Sequence, residues 1–257
     1  MAECSETRTS SAMNENTPVF FKYYGGYDAP GYFYPGFDFN VRELFLNHGG
    51  VLATPIIRGG NEFGESWHAQ AVQQYRAVSA NDLIDIARYL SAQKIGSAKT
   101  LIASGTSAGG FLTLAAGLLS PKDFGLLIPI SPPTDVLAKV RLDARFGGQI
   151  REYGSPTIDL IRTAMLTYSP LELSVDLQTM PQIFLFAGLN DSRVNPLHSV
   201  KFAAKMRALG IPTEKFNAEF IKNSGHWLAD YKYQDLIGWR TTSDFWIRIY
   251  DYLGWTQ

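Results

Sequence analysis

The sequence predicts an α/β fold in which helices cover both faces of a mostly parallel sheet. Its strand-like runs are short and continuously apolar, as buried strands of a parallel sheet are when helices pack on both sides. Helix-period patterns separate these runs, and alternating strands and helices imply right-handed crossover connections. The chain has 257 residues, 46% of them hydrophobic and 18% charged, which is ample material for a globular core.

Five strands are predicted, at residues 19–24, 50–57, 100–104, 126–131 and 182–188, with a looser sixth at 213–221. Residues 1–18, before the first strand, are rich in Ser, Thr, Glu and Asn and are predicted to form a disordered tail. From residue 19 to residue 257 no linker-like segment and no internal repeat interrupts the pattern. We therefore predict one folded domain over 19–257.

Helical patterns lie between the strands, at residues 79–93, 108–119 and 195–210. The first has one apolar face and either Ser79 or Asn81 at its start as a cap. The third has Asn195 as its N-cap, Pro196 in its first turn and Gly210 at its end. Near the C-terminus a further apolar stripe predicts core contact, through Trp246, Ile249, Tyr250 and Leu253.

Charge and cysteine content exclude several classes of partner and site. The formal net charge is −1 and no run of Lys or Arg occurs, so no nucleic-acid partner is expected. Cys4 is the only cysteine, which predicts neither a disulfide framework nor a thiolate metal site and favours a reducing compartment. Because no signal-peptide pattern, membrane-spanning run or ligand cluster is visible, we expect a cytoplasmic protein with no membrane partner, metal ion or organic cofactor.

The stretch "SGTSAGGFL", residues 104–112, follows an apolar strand and opens a predicted helix. Such a turn can be a nucleophile elbow, in which a serine takes a strained conformation and its neighbours are small because strand and helix pass closely. Ser107 has Gly105, Ala108 and Gly109 around it, and the helix N-terminus directs its amides at any anion formed beside it. By itself the string also fits a glycine-rich connection that happens to contain a serine.

A serine nucleophile needs a base and an acid, which follow it in the order acid, then histidine, in this fold. Of the histidines after Ser107, His198 lies in a predicted helix and fits a partly exposed helix residue. His226 follows the last predicted strand, where Gly225 makes a turn, and is the favoured base. Asp191 follows an apolar strand and is the candidate acid, although such a residue can also satisfy loop amides.

Acyl transfer also needs donors for the oxyanion of the tetrahedral intermediate. The backbone amide of Ala108, directly after the candidate nucleophile, is one such donor. The stretch "KYYGGY", residues 22–27, follows the first strand and offers either the amide of Gly25 or the hydroxyl of Tyr24 as a second. The residues alone leave these two alternatives open.

Several strings resemble the catalytic domain of the prolyl oligopeptidase family, in the same order along the chain. They are "YYGGY", "GGVLATPIIRGGNEFGESWH", "GTSAGG", "DSRVNPLHSVKF" and "SGHW". The resemblance extends from about Val19 to the C-terminus, and the string from Gly49 to His68 is far more specific than a G-x-S-x-G match. It implies an α/β-hydrolase fold and a serine peptidase activity on peptide substrates.

Roles for individual residues follow from this resemblance. It implies that Ser107 is the nucleophile, that Asp191 orients His226, and that His226 is the general base and then the acid. It further implies that Tyr24 and Ala108 form the oxyanion hole, that Arg193 binds a substrate carbonyl, and that the proline pocket is lined by Tyr27, Tyr153 and Val194. Trp67 and His68 lie in a family loop near the site, and no chemical step is assigned to them.

The sequence departs from the family pattern in two respects. The tryptophan that stacks on the substrate proline has as its nearest counterparts Gln149 and Ile150, neither of which is aromatic, so weaker proline selection is expected. The β-propeller and the first strands of the hydrolase sheet have no counterpart before Val19. We therefore expect an uncovered sheet edge and self-association through it.

Three functions remain open at the level of the sequence. The leading interpretation is a serine endopeptidase that cleaves short peptides on the carboxyl side of proline through an acyl-enzyme. A small-substrate esterase or aminopeptidase-like hydrolase would use the same triad. A truncated, non-catalytic remnant acting as an interaction module is the third; the intact set of Ser107, Asp191 and His226 argues against it, and the missing N-terminal strands argue for it.

Overall fold

One mixed sheet organises the part of the chain that the structure, a computed structural model, describes: residues 2–4, 13–31, 44–142, 146–226, 228 and 234–255. In this part the strands lie in the order β1-β3-β2-β4-β5-β6-β7. Their bounds are β1 (Ala2–Cys4), β2 (Val19–Lys22), β3 (Val51–Pro55), β4 (Leu101–Thr106), β5 (Leu126–Ile130), β6 (Gln182–Gly188) and β7 (Phe216–Ile221). The six predicted strands are confirmed, with bounds that differ from the predicted ranges by a few residues.

Six strands of the sheet are parallel, from β3 at one side to β7 at the other. The short strand β1 pairs antiparallel with β3, with Ala2 opposite Pro55 and Cys4 opposite Ala53. This pairing departs from the disordered tail expected over residues 1–18, within which residues 1 and 5–12 lie outside the described part. The antiparallel strand adds backbone hydrogen bonds along β3, which hydrophobic patterning in a polar stretch cannot reveal.

Helices alternate with the strands as predicted. Among the described residues they are α1 (Glu65–Ala69), α2 (Ala77–Ala92), α3 (Ala108–Leu119), α4 (Val136–Leu142), α5 (Phe146–Tyr153), α6 (Asp159–Tyr168), α7 (Leu197–Ala208) and α8 (Gln234–Leu253). Short 3-10 turns occupy Leu46–His48 and Gln73–Tyr75. None of these helices is long and apolar enough to traverse a lipid bilayer.

The start of α2 differs from the prediction. Neither Ser79 nor Asn81 caps it, because the helix begins at Ala77. The Ser79 hydroxyl is buried and donates to the carbonyl of Arg58 at 2.5 Å, so tertiary contact rather than capping accounts for the serine. At α7 the predicted cap is present, since Asn195 Oδ1 accepts the amide hydrogen of Leu197 at 3.0 Å.

Two apolar clusters fill the two faces of the sheet. Neighbouring residues of β2 point to opposite faces, so Phe21 packs in one cluster with α2 and α3, and Phe20 packs in the other with α8. The predicted stripe of α8 does contact the core, with Trp246 and Ile249 buried. With both faces covered, the carboxyl ends of the parallel strands form the edge where a site can assemble.

Candidate active site

Ser107 lies between the last residue of β4 and the first residue of α3. Its backbone has φ 60° and ψ −120°, a conformation that residues other than glycine rarely adopt. The amide of Ser107 donates to the carbonyl of Ile130, at the end of β5, at 2.8 Å. The structure therefore places Ser107 on a strained strand-to-helix turn that is tied to the neighbouring strand.

The glycines around Ser107 are required by the close approach of backbone segments. A Cβ on Gly105 would lie 2.5 Å from the carbonyl carbon of Gly109, and a Cβ on Gly110 would lie 2.8 Å from the carbonyl oxygen of Ile130. A Cβ on Gly109 would lie 3.1 Å from the carbonyl oxygen of Tyr23. Real Cβ atoms do not tolerate the first two distances, so the turn has the close packing that the sequence predicted.

Asp191 and His226 form a buried hydrogen-bonded pair. Nδ1 of His226 and Oδ2 of Asp191 are 2.7 Å apart. The other oxygen, Oδ1, accepts the amide hydrogens of Arg193 at 2.8 Å and Val194 at 2.9 Å. One oxygen of Asp191 therefore satisfies loop amides, while the other is hydrogen-bonded to the imidazole of the candidate base.

The electrostatics of Asp191 favour its ionised form. Burial alone would raise the pKa of this carboxyl group, but the hydrogen bond and the charge of His226 lower it, together with the amides of Val194 and Arg193. The net result is a pKa below the ordinary value of an aspartic acid. An ionised carboxylate at this position fixes the proton of His226 on Nδ1 and leaves Nε2 as the basic nitrogen.

The loops that carry Asp191 and His226 are joined through their backbones. The amide of Leu189 donates to the backbone carbonyl of Ile221 at 2.9 Å, and the amide of Asn190 donates to the backbone carbonyl of Ser224 at 2.9 Å. A Cβ on Gly188 would lie 2.3 Å from the carbonyl oxygen of Gly225, so glycine is needed where the two loops meet. These contacts extend the β6–β7 pairing beyond the strands and set the acid beside the histidine.

His198 takes no part in this pair. The sequence predicted a partly exposed helix residue, and that prediction is wrong because His198 is fully buried near the start of α7. Its Nδ1 accepts the amide hydrogen of Asp135 at 3.2 Å, and its backbone carbonyl accepts the hydroxyl of Thr134 at 2.5 Å. His198 thus holds the loop after β5 against α7.

The loop after β2 passes directly beside the start of α3. A Cβ on Gly109 would lie 3.5 Å from Cα of Tyr24, and a Cβ on Gly26 would lie 3.1 Å from Cβ of Ala108. Both alternatives for the second oxyanion donor, the Tyr24 hydroxyl and the Gly25 amide, are therefore carried by a segment that adjoins Ala108. The two segments that carry the candidate oxyanion donors are therefore next to each other.

Comparison with known proteins identifies the family. The family model "Prolyl oligopeptidase family" matches residues 35–251. The chain belongs to the prolyl oligopeptidase family. It is 30% identical over 206 residues to the dual function macrocyclase-peptidase POPB of Galerina marginata, covering 78% of this chain and 27% of that protein. It is 28% identical over 216 residues to Protease 2 of Moraxella lacunata, covering 83% of this chain and 31% of that protein.

A solved structure gives the same result for the fold. A post-proline cleaving enzyme from Rickettsia typhi superposes with a TM-score of 0.74 at 29% identity, over 83% of this chain and 30% of that one. The chain therefore spans between about a quarter and a third of the length of these relatives. The α/β-hydrolase fold predicted from the sequence is confirmed by this likeness to a member of the family.

The residues that the prolyl oligopeptidase likeness assigns to substrate binding have different environments. Tyr27 and Tyr153 meet edge to face, with ring centroids 6.2 Å apart, and Tyr153 is completely buried. Arg193 is exposed and Val194 is buried, on the loop that begins at Asp191. The structure thus brings the two tyrosines together and places the arginine at the surface beside the acid.

Gln149 and Ile150, the nearest counterparts of the family's stacking tryptophan, both lie on α5, and Gln149 is buried. Its Oε1 accepts a short hydrogen bond from the hydroxyl of Tyr27. Burial raises the pKa of Tyr27, so this hydroxyl keeps its proton and stays a donor. The predicted proline pocket therefore has a polar amide against one of its tyrosines instead of an aromatic face.

Sequence reasoning missed a buried charged cluster next to the site. Arg76 is 0% exposed and Glu152 1% exposed, and Nε of Arg76 lies 3.6 Å from Oε1 of Glu152. The other carboxylate oxygen lies 3.0 Å from Nε2 of His68, a residue to which the sequence assigned no chemical step. Charged residues are mostly exposed, so position in the sequence gives no sign of such burial. The one signal in the sequence was that Glu152 directly precedes the predicted pocket residue Tyr153.

Proposed function

We propose that this chain carries the catalytic centre of a serine endopeptidase that hydrolyses short peptides on the carboxyl side of proline. One observation carries the catalytic part of the proposal: the buried Asp191–His226 pair, 2.7 Å between Oδ2 and Nδ1, at the sheet edge where Ser107 occupies its strained turn. Such a pair supplies the oriented base that a serine hydroxyl needs before it can attack a carbonyl carbon.

The proposed reaction proceeds in two balanced steps. Ser107 Oγ attacks the scissile carbonyl carbon while His226 takes the hydroxyl proton and then gives it to the leaving amine, which departs as the C–N bond breaks. Water then attacks the acyl-enzyme, His226 accepts the proton of the water, and Ser107 Oγ leaves with that proton. Asp191 remains ionised throughout and stabilises the imidazolium form of His226.

The amide of Ala108 and the hydroxyl of Tyr24 are the proposed donors to the tetrahedral oxyanion. The backbone segments that carry these two residues are closely packed against each other, which would limit the reorganisation that accompanies the development of charge. Arg193 is proposed to bind a substrate carbonyl near the scissile bond. Tyr27, Tyr153 and Val194 are proposed to line the pocket for the residue on the acyl side.

Preference for proline rests on relatives and on the two tyrosines. One relative is a post-proline cleaving enzyme, and the partly exposed ring of Tyr27 offers an apolar surface suited to an uncharged ring, with the buried Tyr153 packed against it. Gln149 argues for weaker selection than a stacking tryptophan gives, because an amide contributes no aromatic face. We expect proline to be favoured over alanine by a smaller factor than in a variant with Gln149→Trp.

A fluorophosphonate probe tests the catalytic part of the proposal. The purified chain should be labelled at Ser107 and the Ser107→Ala variant should not. Matched peptides with proline or alanine on the acyl side then test specificity, and a simple activated ester tests the smaller-substrate alternative. Labelling with ester turnover and no peptide cleavage would favour the esterase or aminopeptidase-like hydrolase. This is the second candidate function, because Gln149 offers no aromatic face for proline.

Absence of Ser107-dependent labelling would contradict both enzymatic functions and leave the interaction module. Self-association through the sheet edge that the missing first strands would leave is a separate proposal. In the described part of the chain, that side of the sheet ends on the short antiparallel strand β1, which pairs only with β3. Sedimentation velocity over a hundredfold range of concentration would reveal self-association as a rising sedimentation coefficient.

A cytoplasmic compartment remains a prediction from cysteine usage.

A further inference from the structure

The loop of residues 24–28 has a strained backbone beside the candidate nucleophile. Gly25, Tyr27 and Asp28 have φ values of 63°, 56° and 55°. Two of these residues are not glycine, and a left-handed backbone conformation costs such residues energy. It persists only where surrounding contacts offset that cost. The loop also carries Tyr24, so its conformation decides where the tyrosine hydroxyl lies.

Two buried charged side chains, Arg76 and Glu152, form hydrogen bonds with the backbone of this loop on either side of Gly26. Nη2 of Arg76 donates to the carbonyl oxygen of Gly25 at 2.8 Å. Oε1 of Glu152 accepts the amide hydrogen of Tyr27 at 3.0 Å. A Cβ on Gly26 would lie 2.8 Å from Arg76 Nη2 and 3.2 Å from Glu152 Oε1, so the ion pair fits the loop only because residue 26 has no side chain.

Each member of the ion pair is itself fixed by further contacts. Nη1 of Arg76 donates to Ser79 Oγ at 2.7 Å and to the carbonyl of Ala71 at 3.3 Å. Oε2 of Glu152 lies 3.0 Å from Nε2 of His68 on α1. The pair therefore connects the 24–28 loop to three helices, α1, α2 and α5, while having almost no exposed surface for a substrate.

We propose that Arg76 and Glu152 are positioning residues for acylation, holding the 24–28 loop so that Tyr24 can donate to the oxyanion. This inference rests on the proposed function. A buried ion pair is a weak source of stability, since the loss of hydration offsets much of the attraction, but it can specify a single conformation. Oxyanion donors need that precision, because a shift of about 1 Å in a reacting geometry can lower the rate about a hundredfold.

The ion pair also contacts the predicted substrate pocket, so its loss could act on substrate binding and not on Tyr24. The test must distinguish these two effects. The guanidinium carbon of Arg76 lies 5.5 Å from the ring centroid of Tyr153, so the pair also supports the predicted substrate pocket. If it acted on the pocket, its loss would raise KM for peptides with little change in kcat. If it acts through Tyr24, its loss lowers kcat and the rate of labelling by a small fluorophosphonate.

The decisive variant removes both charges together. Arg76→Met with Glu152→Leu leaves no unpaired charge in the core, so folding should survive, whereas a single change would leave one buried charge alone. Asp135→Asn is the matched control: Asp135 is a buried carboxylate that accepts the Ala138 amide at 2.9 Å and pairs with Lys201 at 2.6 Å. We expect the double variant, and not the control, to lower the labelling rate by at least about tenfold.

A cycle with Tyr24→Phe tests whether the pair acts through the tyrosine. Tyr24→Phe should lower the labelling rate about 10²–10³-fold. Adding Arg76→Met and Glu152→Leu to it should lower the rate by less than about threefold more, because residues acting through one group are not additive. Additive losses would overturn the proposal, and so would a rise in KM with unchanged kcat.

Hydrogen exchange provides a readout that needs no activity. In the double variant, amide exchange of residues 24–28 should rise at least about tenfold while that of α3 stays unchanged. Unchanged exchange in the loop would overturn the proposal even in a chain that is fully active. If the unaltered chain is not labelled at Ser107, the proposed peptidase function fails, whereas the exchange result still decides whether the ion pair holds the loop.

Discussion

Ser107 shows how a single residue position combines strain and packing. Its φ of 60° is held between β4 and α3 by glycines that no side chain can replace without backbone collision. The sequence predicted this turn because a serine among small residues, directly after an apolar strand, is typical of a nucleophile elbow. It did not predict Arg76 or Glu152, since nothing in a polar helix residue distinguishes a buried charge from an exposed one.

Replacement of Gly105 by alanine tests the packing of the turn. A Cβ there would lie 2.5 Å from Gly109 backbone, so we expect Gly105→Ala to lower the free energy of unfolding by about 1–3 kcal/mol and to abolish labelling of Ser107. Gly148→Ala is the control, because a Cβ on Gly148 in α5 meets no atom within 4 Å. Urea denaturation of both variants gives the comparison, and equal stabilities would contradict the packing argument.

Asp191→Asn tests the orientation of His226. The amide oxygen of asparagine can still accept the amides of Arg193 and Val194, but its NH2 group cannot accept a hydrogen bond from His226 Nδ1. The wrong tautomer of the histidine then results. In a serine peptidase triad this change lowers kcat about 10⁴-fold, and we expect a loss of that order in ester turnover. A variant that kept more than about a tenth of the activity would exclude the proposed role.

The lowered pKa of Asp191 also predicts how stability depends on pH. A carboxyl group whose pKa is lower in the folded chain than in the unfolded chain binds protons more weakly when folded. Its stabilisation is complete above the ordinary pKa, near about 4, and is lost as the pH falls through the lowered value. The difference in unfolding free energy between the unaltered chain and Asp191→Asn should therefore shrink between about pH 5 and pH 2 in urea titrations. A constant difference would contradict the sign of the shift.

At the scale of elements, the short, continuously apolar runs predicted the strands, but the contacts between elements were not predictable. Strands β2 to β7 and helices α2, α3 and α7 follow from continuous apolarity, helical period and terminator residues. Helices α4, α5 and α6 pack around Tyr153, Met165 and Tyr168, where the sequence shows no continuous period. The start of α2 was mispredicted for the same reason, because the Ser79 hydroxyl donates to the carbonyl of Arg58 and does not cap the helix.

The start of α7 carries a cap whose contribution can be measured. Asn195 Oδ1 accepts the amide hydrogen of Leu197 at 3.0 Å, one of the amides that a helix N-terminus leaves without an internal acceptor. We expect Asn195→Ala to lower the free energy of unfolding by about 1 kcal/mol and Asn195→Asp to preserve it. Thermal and urea unfolding would show the difference, and equal losses in both variants would assign the effect to other contacts of Asn195.

For the whole molecule, the two-sided burial of the sheet decides which aromatic residues matter. Trp246 on α8 is 4% exposed and packs against Phe20, Phe45 and Phe245, with centroids 6.1, 6.4 and 5.4 Å away. Its neighbour Ile247 is 51% exposed on the outer surface of the same helix. Truncating Trp246 would therefore open the core cluster that contains Phe20, whereas truncating the adjacent Ile247 would not.

We expect Trp246→Ala to lower the free energy of unfolding by about 3–5 kcal/mol, since a large buried ring is removed and a cavity remains. Ile247→Ala should change it by less than about 0.5 kcal/mol, because the side chain lies largely in water. Loss of α8 packing would expose the face of the sheet that carries Phe20, so the Trp246→Ala variant should also bind more hydrophobic dye than the Ile247→Ala control. Comparable losses in the two variants would mean that α8 does not cover that face in solution.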